Sequence, residues 1–182
     1  MLSEESLYSS TFNDTEQIKF RLFSKDDSID ELTQLLNKSY KTLADMGLNY
    51  VAATQGNSVT KKRVESAHKC FIGIYNDRII STIALYSPTS SDESSWYNKD
   101  FVAKFGQFAV LSEFQKYGIG SKMIDIVEAE ARNIEDVKEL ALDTADTAYH
   151  LIAYYNKRGY RCIETISWDM TNYNSVVLSK LL

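Results

Sequence analysis

The residues with the clearest chemical potential form a short glycine-containing segment at positions 115–121, which reads Gln-Lys-Tyr-Gly-Ile-Gly-Ser. An apolar stretch precedes it, and helical periodicity begins at Ile119. The first turn of a helix has unpaired N–H groups and a partial positive charge, so it binds phosphate readily. Glycine at 118 and 120 has no Cβ to block a pyrophosphate, and Lys116 adds a charge. The pattern indicates a phosphate-binding turn; a tight turn that only relieves backbone strain is the alternative.

Two common nucleotide-binding motifs do not fit this segment. The dinucleotide-binding fingerprint requires a third glycine, and the chain has Met123 at that position. The P-loop requires glycine, then lysine, then serine or threonine, whereas this chain has Gly120, Ser121 and Lys122 in the wrong order. Both nucleotide-binding interpretations are therefore rejected.

A second segment, at positions 154–160, reads Tyr-Tyr-Asn-Lys-Arg-Gly-Tyr. It is similar to the aromatic-Tyr-x-Lys-x-Gly-aromatic segment of the GCN5-related N-acetyltransferase superfamily. The first segment matches that family's Gln/Arg-x-x-Gly-x-Gly/Ala motif, and one predicted helix and one predicted strand separate the two. The sequence therefore resembles this superfamily, most specifically over positions 105–160 and, in the order of its elements, over nearly the whole chain.

The resemblance implies that the protein binds acetyl-CoA and releases CoA. It implies that the turn holds the pyrophosphate through backbone N–H groups and that the pantetheine arm lies along the preceding strand. A backbone N–H there, at Val110, would polarise the thioester carbonyl, and Tyr155 would protonate the leaving thiolate. The implied cofactor-binding residues are Phe108, Ala109, Val110, Gln115, Lys116, Tyr117, Gly118, Ile119, Gly120 and Ser121.

Helical spacing favours Tyr155 over its neighbour as the residue facing the cleft. Ala148, Leu151, Ile152 and Tyr155 are three or four residues apart, so they share one face of a helix. Tyr154 lies about 100° round that helix and is expected to be more exposed. A tyrosine that only packs its ring in the core is the alternative interpretation of Tyr155.

The general base cannot be identified from the residues. Some members of the superfamily have a glutamate on the strand before the turn, where this chain offers Gln107 and Phe108. A carboxylate elsewhere, such as Asp143 or Asp146, a water chain and the absence of a dedicated base all stay open. His68 and Cys70 lack a third ligand, so no metal site is predicted.

Three classes of function remain. The first is an N-acetyltransferase that moves an acetyl group from acetyl-CoA to a primary amine, expected to belong to a small molecule. The second is a CoA-binding sensor or regulatory module whose catalytic step has decayed. The third is an acyltransferase for a longer acyl chain or a non-amine acceptor. The presence of Tyr155 favours an active enzyme, and the acceptor itself is not encoded in any motif.

The elements that must position these residues follow from periodicity. Ser28 and Glu31 form a predicted capping box, Gly47 a helix stop, and Asn76-Asp77 a hairpin turn. Gly106 marks a possible bulge, and positions 88–104 are expected to form a long loop. Strands are predicted at 18–23, 70–75, 78–86, 105–111, 137–142, 160–168 and 175–181, and helices at 28–43, 58–67, 119–132 and 148–158.

This order predicts an α/β (α+β) domain with a mixed, mostly antiparallel sheet flanked by helices, the fold of GNAT-like acyl-CoA N-acyltransferases. The strand–helix–strand from 105 to 142 implies one parallel pair. Positions 1–17 lack periodicity and are expected to be a loose arm, followed by a single domain at 18–182. The C-terminal strands leave a homodimer possible without requiring one.

Composition and charge limit the ligands and the cellular compartment that are expected for this chain. The chain has 182 residues and a net charge of -5, with a pI of about 5.1, which argues against general nucleic-acid binding and is compatible with cationic ligands. The sequence contains no run of roughly 18 apolar residues, so it predicts no membrane-spanning helix. Cys70 and Cys162 are expected to be buried free thiols. With no recognisable export signal, they favour a cytoplasmic location.

Overall fold

The computed structural model describes residues 8–12 and 16–182, with side chains from residue 18 onward. Its strands are β1 (Tyr8–Phe12), β2 (Glu16–Leu22), β3 (Lys69–Tyr75), β4 (Arg78–Tyr86), β5 (Val102–Val110), β6 (Glu139–Ala145), β7 (Arg161–Ser167) and β8 (Asn174–Leu181). Its helices are α1 (Ile29–Asp45), α2 (Asn57–Ser66), α3 (Ile119–Ala131) and α4 (Tyr149–Lys157).

The strands form one mixed sheet in the order β1-β2-β3-β4-β5-β6-β8-β7 across the described residues. The pair β5–β6 is parallel and is joined through α3, whereas the other described pairs are antiparallel. The predicted fold class and the predicted parallel pair are therefore confirmed. A large apolar core joins α1 and α3 to the sheet, and a smaller one surrounds Tyr97 and Val102.

Local signals in the sequence account for most element boundaries. Ser28 caps α1 by accepting a hydrogen bond from the Glu31 N–H at 3.1 Å, as predicted. Glu31 does not complete the capping box, because its carboxylate accepts from the Ile79 N–H at 2.8 Å and so ties α1 to β4. Gly47 follows α1 with φ of 86°, the left-handed conformation expected of a helix stop.

The hairpin between β3 and β4 turns at two residues with positive φ, Asn76 at 47° and Asp77 at 58°. These values fit a type I′ turn, in which both central residues adopt left-handed conformations and asparagine and aspartate are favoured. The predicted two-residue hairpin is confirmed, and it fixes the register in which β3 and β4 pair.

The structure corrects three expectations. Part of the expected loose arm is strand, because β1 pairs with β2 through backbone hydrogen bonds that need no apolar alternation; residues 1–7 and 13–15 lie outside the described residues. The strand expected at 105 begins at Val102, where the parallel pairing with Glu139 starts. Cys162 is exposed rather than buried, because it lies on the edge strand β7.

No helix in the described part of the chain is long and apolar enough to cross a membrane.

Candidate active site

The site is built around a gap between the parallel strands β5 and β6. Their register runs from Val102–Glu139 to Lys104–Ala141 and then stops, although β5 continues to Val110 and β6 to Ala145. Backbone groups on the two facing edges beyond this point therefore lack a strand partner. Such groups need other hydrogen-bond partners, from side chains or from a ligand.

Two tyrosines from the segment around α1 occupy part of this gap. Tyr40 donates its hydroxyl to the Phe108 carbonyl of β5 at 2.9 Å. Tyr50 accepts from the Ala145 N–H of β6 at 2.9 Å, and its oxygen is 3.0 Å from the Thr144 hydroxyl. The two rings are 5.5 Å apart between centroids. The tyrosines thus hold the two strands apart at a fixed spacing while satisfying one backbone group on each.

The backbone of Val110 is directed into the same gap. The neighbouring Leu111 N–H donates to the Ile80 carbonyl of β4 at 2.9 Å. In an antiparallel pair consecutive residues alternate in direction, so the Val110 N–H and carbonyl point away from β4. Consistent with this, the Val110 carbonyl accepts from the Gln115 side chain at 3.1 Å. The Val110 N–H is therefore a donor facing the gap.

A β-bulge in β5 produces this arrangement. Between the pairs Ala84–Gly106 and Thr82–Ala109, β5 has one residue more than β4. Gln107 lies in the bulge with φ of 49°, an uncommon value for a residue with a side chain. The predicted bulge marker, Gly106, is the residue immediately before it.

A buried polar network holds Gln107 in place. The Gln107 side-chain oxygen accepts from Gln55 Nε2 at 2.9 Å, and the same Nε2 donates to Thr60 at 2.8 Å. Gln55 in turn accepts from the Arg63 guanidinium at 2.9 Å. Gln107, one of the two residues that the sequence offered in place of a glutamate, is therefore an amide held by structural partners.

The turn after β5 and the first turn of α3 form the next wall of the site. Gly118 is the N-cap of α3 with φ of 79°, and Lys116 has φ of 72°. The first backbone bond of the helix runs from the Lys122 N–H to the Gly118 carbonyl, so the N–H groups before it have no intrahelical partner. A Cβ on Gly120 would lie 3.4 Å from the Phe108 ring. A side chain at residue 120 would therefore narrow the space between the helix start and the Phe108 ring.

These elements enclose a cleft of about 710 Å³ between α1, β5, α3 and α4. Its volume and its anion-ready helix start fit an elongated phosphate-bearing ligand such as CoA. Ser39 also lines the cleft, and its buried hydroxyl oxygen has no hydrogen-bond partner among the described residues.

Most of the sequence-predicted binding residues line this cleft. They are Phe108, Ala109, Val110, Gln115, Lys116, Gly118, Gly120 and Ser121, together with Tyr155. Tyr117 points outward and is 58% exposed, and the Ile119 side chain is buried in the core. Sequence reasoning did not find the α1 wall, which includes Ser39, Tyr40 and Met46. Nothing local to α1 marks these residues, because only the packing of α1 across the gap makes them part of a site.

Tyr155 is buried, whereas Tyr154 is half-buried, as the helical spacing predicted. Burial is the largest cause that raises the pKa of Tyr155 well above its usual value, and the nearby Tyr40, Tyr154 and Tyr50 raise it further. Its hydroxyl makes no hydrogen bond within the described part of the chain, so it remains a protonated donor facing the cleft. Tyr154 is 3.2 Å from the Ser121 hydroxyl and therefore also lines the cleft.

The cleft is not the only cavity in the described part of the chain. A smaller polar cavity of about 440 Å³ is at the opposite end of β5, beside Tyr86 and Lys104, far along the strand from the helix start. Among the described residues, no group of three or more His, Cys, Asp or Glu is arranged to hold a metal ion.

Comparison with known proteins agrees with this geometry. The family model for the acetyltransferase (GNAT) family matches residues 29–160, well over half of the chain. No curated protein matches the sequence. The chain belongs to the GNAT family of acetyltransferases, which use acetyl-CoA.

Solved structures show the same fold at low sequence identity. A GNAT acetyltransferase from Elizabethkingia anophelis with acetyl-CoA bound is 18% identical, with a TM-score of 0.62, covering 91% of this chain and 98% of that one. Ard1 from Thermoplasma volcanium is 12% identical, with a TM-score of 0.69, covering 91% and 97%. An acetyltransferase from Streptococcus agalactiae 2603 is 16% identical, with a TM-score of 0.67, covering 91% and 98%. The predicted family, fold and cofactor are therefore confirmed.

Proposed function

We propose that this protein transfers the acetyl group of acetyl-CoA to a primary amine of a small molecule. The observation that carries the proposal is the shared orientation of two donors, the Val110 N–H and the Tyr155 hydroxyl, towards one cleft that begins at the open end of α3. A backbone donor and a protonated side chain at one site are what acyl transfer from a thioester requires.

Acetyl-CoA supplies a thioester, whose C–S bond breaks as the acceptor nitrogen bonds to the carbonyl carbon. The Val110 N–H stabilises the negative charge that develops on the carbonyl oxygen, because it is fixed in the strand and needs no reorganisation. Tyr155 donates its proton to the leaving sulfur, and the proton that the acceptor nitrogen loses on forming the amide returns through water to the Tyr155 phenolate. The N–H groups at residues 119–121 hold the pyrophosphate at the helix start, where the partial positive charge of α3 is greatest.

One observation supports an amine as the acceptor. The net charge of -5 favours the approach of cations over anions.

The proposal is tested by following thiol release from acetyl-CoA with a panel of primary amines and matched alcohols. We expect amine-dependent release, with the product carrying one added acetyl group on nitrogen by mass spectrometry. Turnover of alcohols alone would contradict an amine acceptor. A folded protein that binds CoA but releases no thiol with any acceptor would instead support a CoA-binding sensor.

A further inference from the structure

Asp143 is a carboxylate that the proposed transfer step does not use. The other residues of β6 are buried, yet Asp143 is exposed. Strand alternation places it on the same face as Ala141, which packs in the smaller core around Tyr97. Tyr97 donates to its Oδ1 at 2.9 Å, and the nearby Lys104 is paired with Asp92 instead. Exposed as the residue is, burial by the surrounding protein is still the largest cause that raises the pKa of Asp143, so a cation beside the carboxylate would offset the cost of its desolvation.

Three half-buried tyrosines border the same space. The Tyr50 ring is 4.8 Å from that of Tyr173 and 5.5 Å from that of Tyr40, between centroids. Tyr50 contacts the two residues that follow Asp143 on β6, since its oxygen is 3.0 Å from the Thr144 hydroxyl and accepts from the Ala145 N–H at 2.9 Å. Burial is the largest cause that raises the pKa of each of these tyrosines, and the charge of Asp143 raises each pKa further. We call Tyr40, Tyr50, Tyr173 and Asp143 the acceptor recess. Aromatic faces beside a carboxylate attract organic cations.

The recess adjoins the reacting end of the cleft. Tyr40 belongs to both, since it lines the cleft and its hydroxyl is bonded to the Phe108 carbonyl in the gap. Tyr155 lines the same cleft as Tyr40. An acceptor that enters through the recess can therefore reach the gap beside Tyr40.

The strand register gives the distance between the two ends of such an acceptor. The last parallel pair joins Lys104 to Ala141. From that pair, Asp143 lies two residues along β6, whereas Val110 lies six residues along β5, of which the bulge takes up one. The difference is three strand residues. Three strand residues correspond to roughly 10 Å. Asp143 is thus too far along the strand to contact a nitrogen at the Val110 N–H, but within reach of a second group on the same molecule.

We propose that the acceptor recess binds a second, unreacting ammonium group of a diamine acceptor, with Asp143 as its counter-ion. The inference rests on the proposed amine acetylation and names its substrate class. The aliphatic chain of the diamine lies against the rings of Tyr50 and Tyr173. Its other nitrogen, as the free amine, reaches the gap between β5 and β6.

The test compares thiol release from acetyl-CoA with 1,5-diaminopentane and with 1-aminopentane, for the wild-type protein and for Asp143→Asn. The asparagine oxygen can still accept from Tyr97, so the substitution removes charge with little change in shape. Asp100→Asn is the matched control, because it removes the same charge from an exposed residue just before β5, at the end of that strand away from Val110. Calorimetry of CoA binding verifies that both variants are folded.

We expect the wild-type protein to prefer the diamine. In Asp143→Asn, kcat/KM for the diamine should fall roughly ten- to hundredfold, mainly through KM, as for the loss of a charged hydrogen bond. Values for 1-aminopentane in Asp143→Asn, and the values for both amines in Asp100→Asn, should not change. Equal losses for both amines, or unchanged diamine kinetics in Asp143→Asn, would overturn the inference. Absence of thiol release with either amine in the CoA-binding wild-type protein would instead refute the proposed function, and the inference with it.

Discussion

Gln55 and Gln107 are joined by a hydrogen bond of 2.9 Å between Nε2 of the first and Oε1 of the second, across 52 residues of sequence. The bond fixes the side chain of a residue whose φ is 49°, at the bulge in β5 from which the Val110 N–H is directed into the gap. The bulge is therefore stabilised by a side chain from the segment between α1 and α2, and not by the sheet alone.

Replacing Gln55 with methionine tests this tether. The substitution keeps the volume but leaves the buried Gln107 oxygen without its donor, which typically costs about 1–3 kcal/mol. We expect a corresponding fall in the free energy of unfolding in urea and a lower kcat, because the Val110 N–H is less well fixed. Gln34→Met, at an exposed position on α1, is the control and should change stability by less than about 0.5 kcal/mol. Equal stability of the two variants would argue against the tether.

Gly120→Val should abolish CoA binding while leaving the fold intact. Its backbone has no positive φ, but a Cβ there would lie 3.4 Å from Phe108 and 3.8 Å from Val110, so a branched side chain projects into the space in front of the helix start. Isothermal calorimetry measures the affinity. Gly56→Val is the control, since its Cβ would meet nothing within 4 Å. Unchanged CoA affinity in folded Gly120→Val would show that the pyrophosphate binds elsewhere.

Gly118→Val should lower the stability of the protein through strain in the backbone. Gly118 has φ of 79°, and a Cβ there would have nothing within 4 Å, so the cost is conformational and not steric. A left-handed residue with a side chain costs roughly 1–2 kcal/mol. We expect this variant to lower the thermal midpoint of unfolding by more than Gly120→Val does. The reverse order would mean that the turn relaxes to accommodate residue 118.

Tyr155→Phe should reduce kcat by roughly 10²- to 10⁴-fold, the usual contribution of general-acid catalysis. The ring and its packing against Phe105, with centroids 6.2 Å apart, are retained, so stability and CoA affinity should stay close to those of the wild-type protein. Tyr154→Phe removes the contact with Ser121 and is expected to raise KM for acetyl-CoA with a smaller effect on kcat.

Tyr149→Phe is the control for both tyrosine variants, because that side chain is on the same helix and 74% exposed. Steady-state kinetics with a saturating amine separates the three. A loss of kcat in Tyr154→Phe that exceeds the loss in Tyr155→Phe would exchange the roles assigned to the two residues.

Native thiol labelling should modify Cys162 and spare Cys70. Cys162 is exposed on the edge strand, whereas burial raises the pKa of Cys70 to about 11, so little reactive thiolate forms at neutral pH. One equivalent of a thiol reagent should react in the folded protein and two after denaturation. In Cys162→Ser the fast equivalent should disappear; its persistence would show that Cys70 becomes accessible through local opening.

The sequence alone predicted the features that depend on neighbours within about four residues. The Ser28 cap, the Asn76-Asp77 turn and the burial of Tyr155 belong to this class, because hydrogen bonding and side-chain direction in helices and turns repeat over such short distances. The glycines at 118 and 120 belong to it as well, since the turn and the helix that they open are contiguous. The family resemblance was carried by two local motifs, and the family model that matches residues 29–160 confirmed it.

The tertiary structure decided which distant residues meet. Gln55 with Gln107, Tyr50 with Ala145 and Asp143 with Tyr97 are separated by 46 to 95 residues, and no local pattern marks any of them. Their contacts depend on where β5 and β6 stop pairing and on how α1 packs across the resulting gap. Side-chain contacts between elements follow from the packing of the whole sheet, so the acceptor side of the site became visible only in three dimensions.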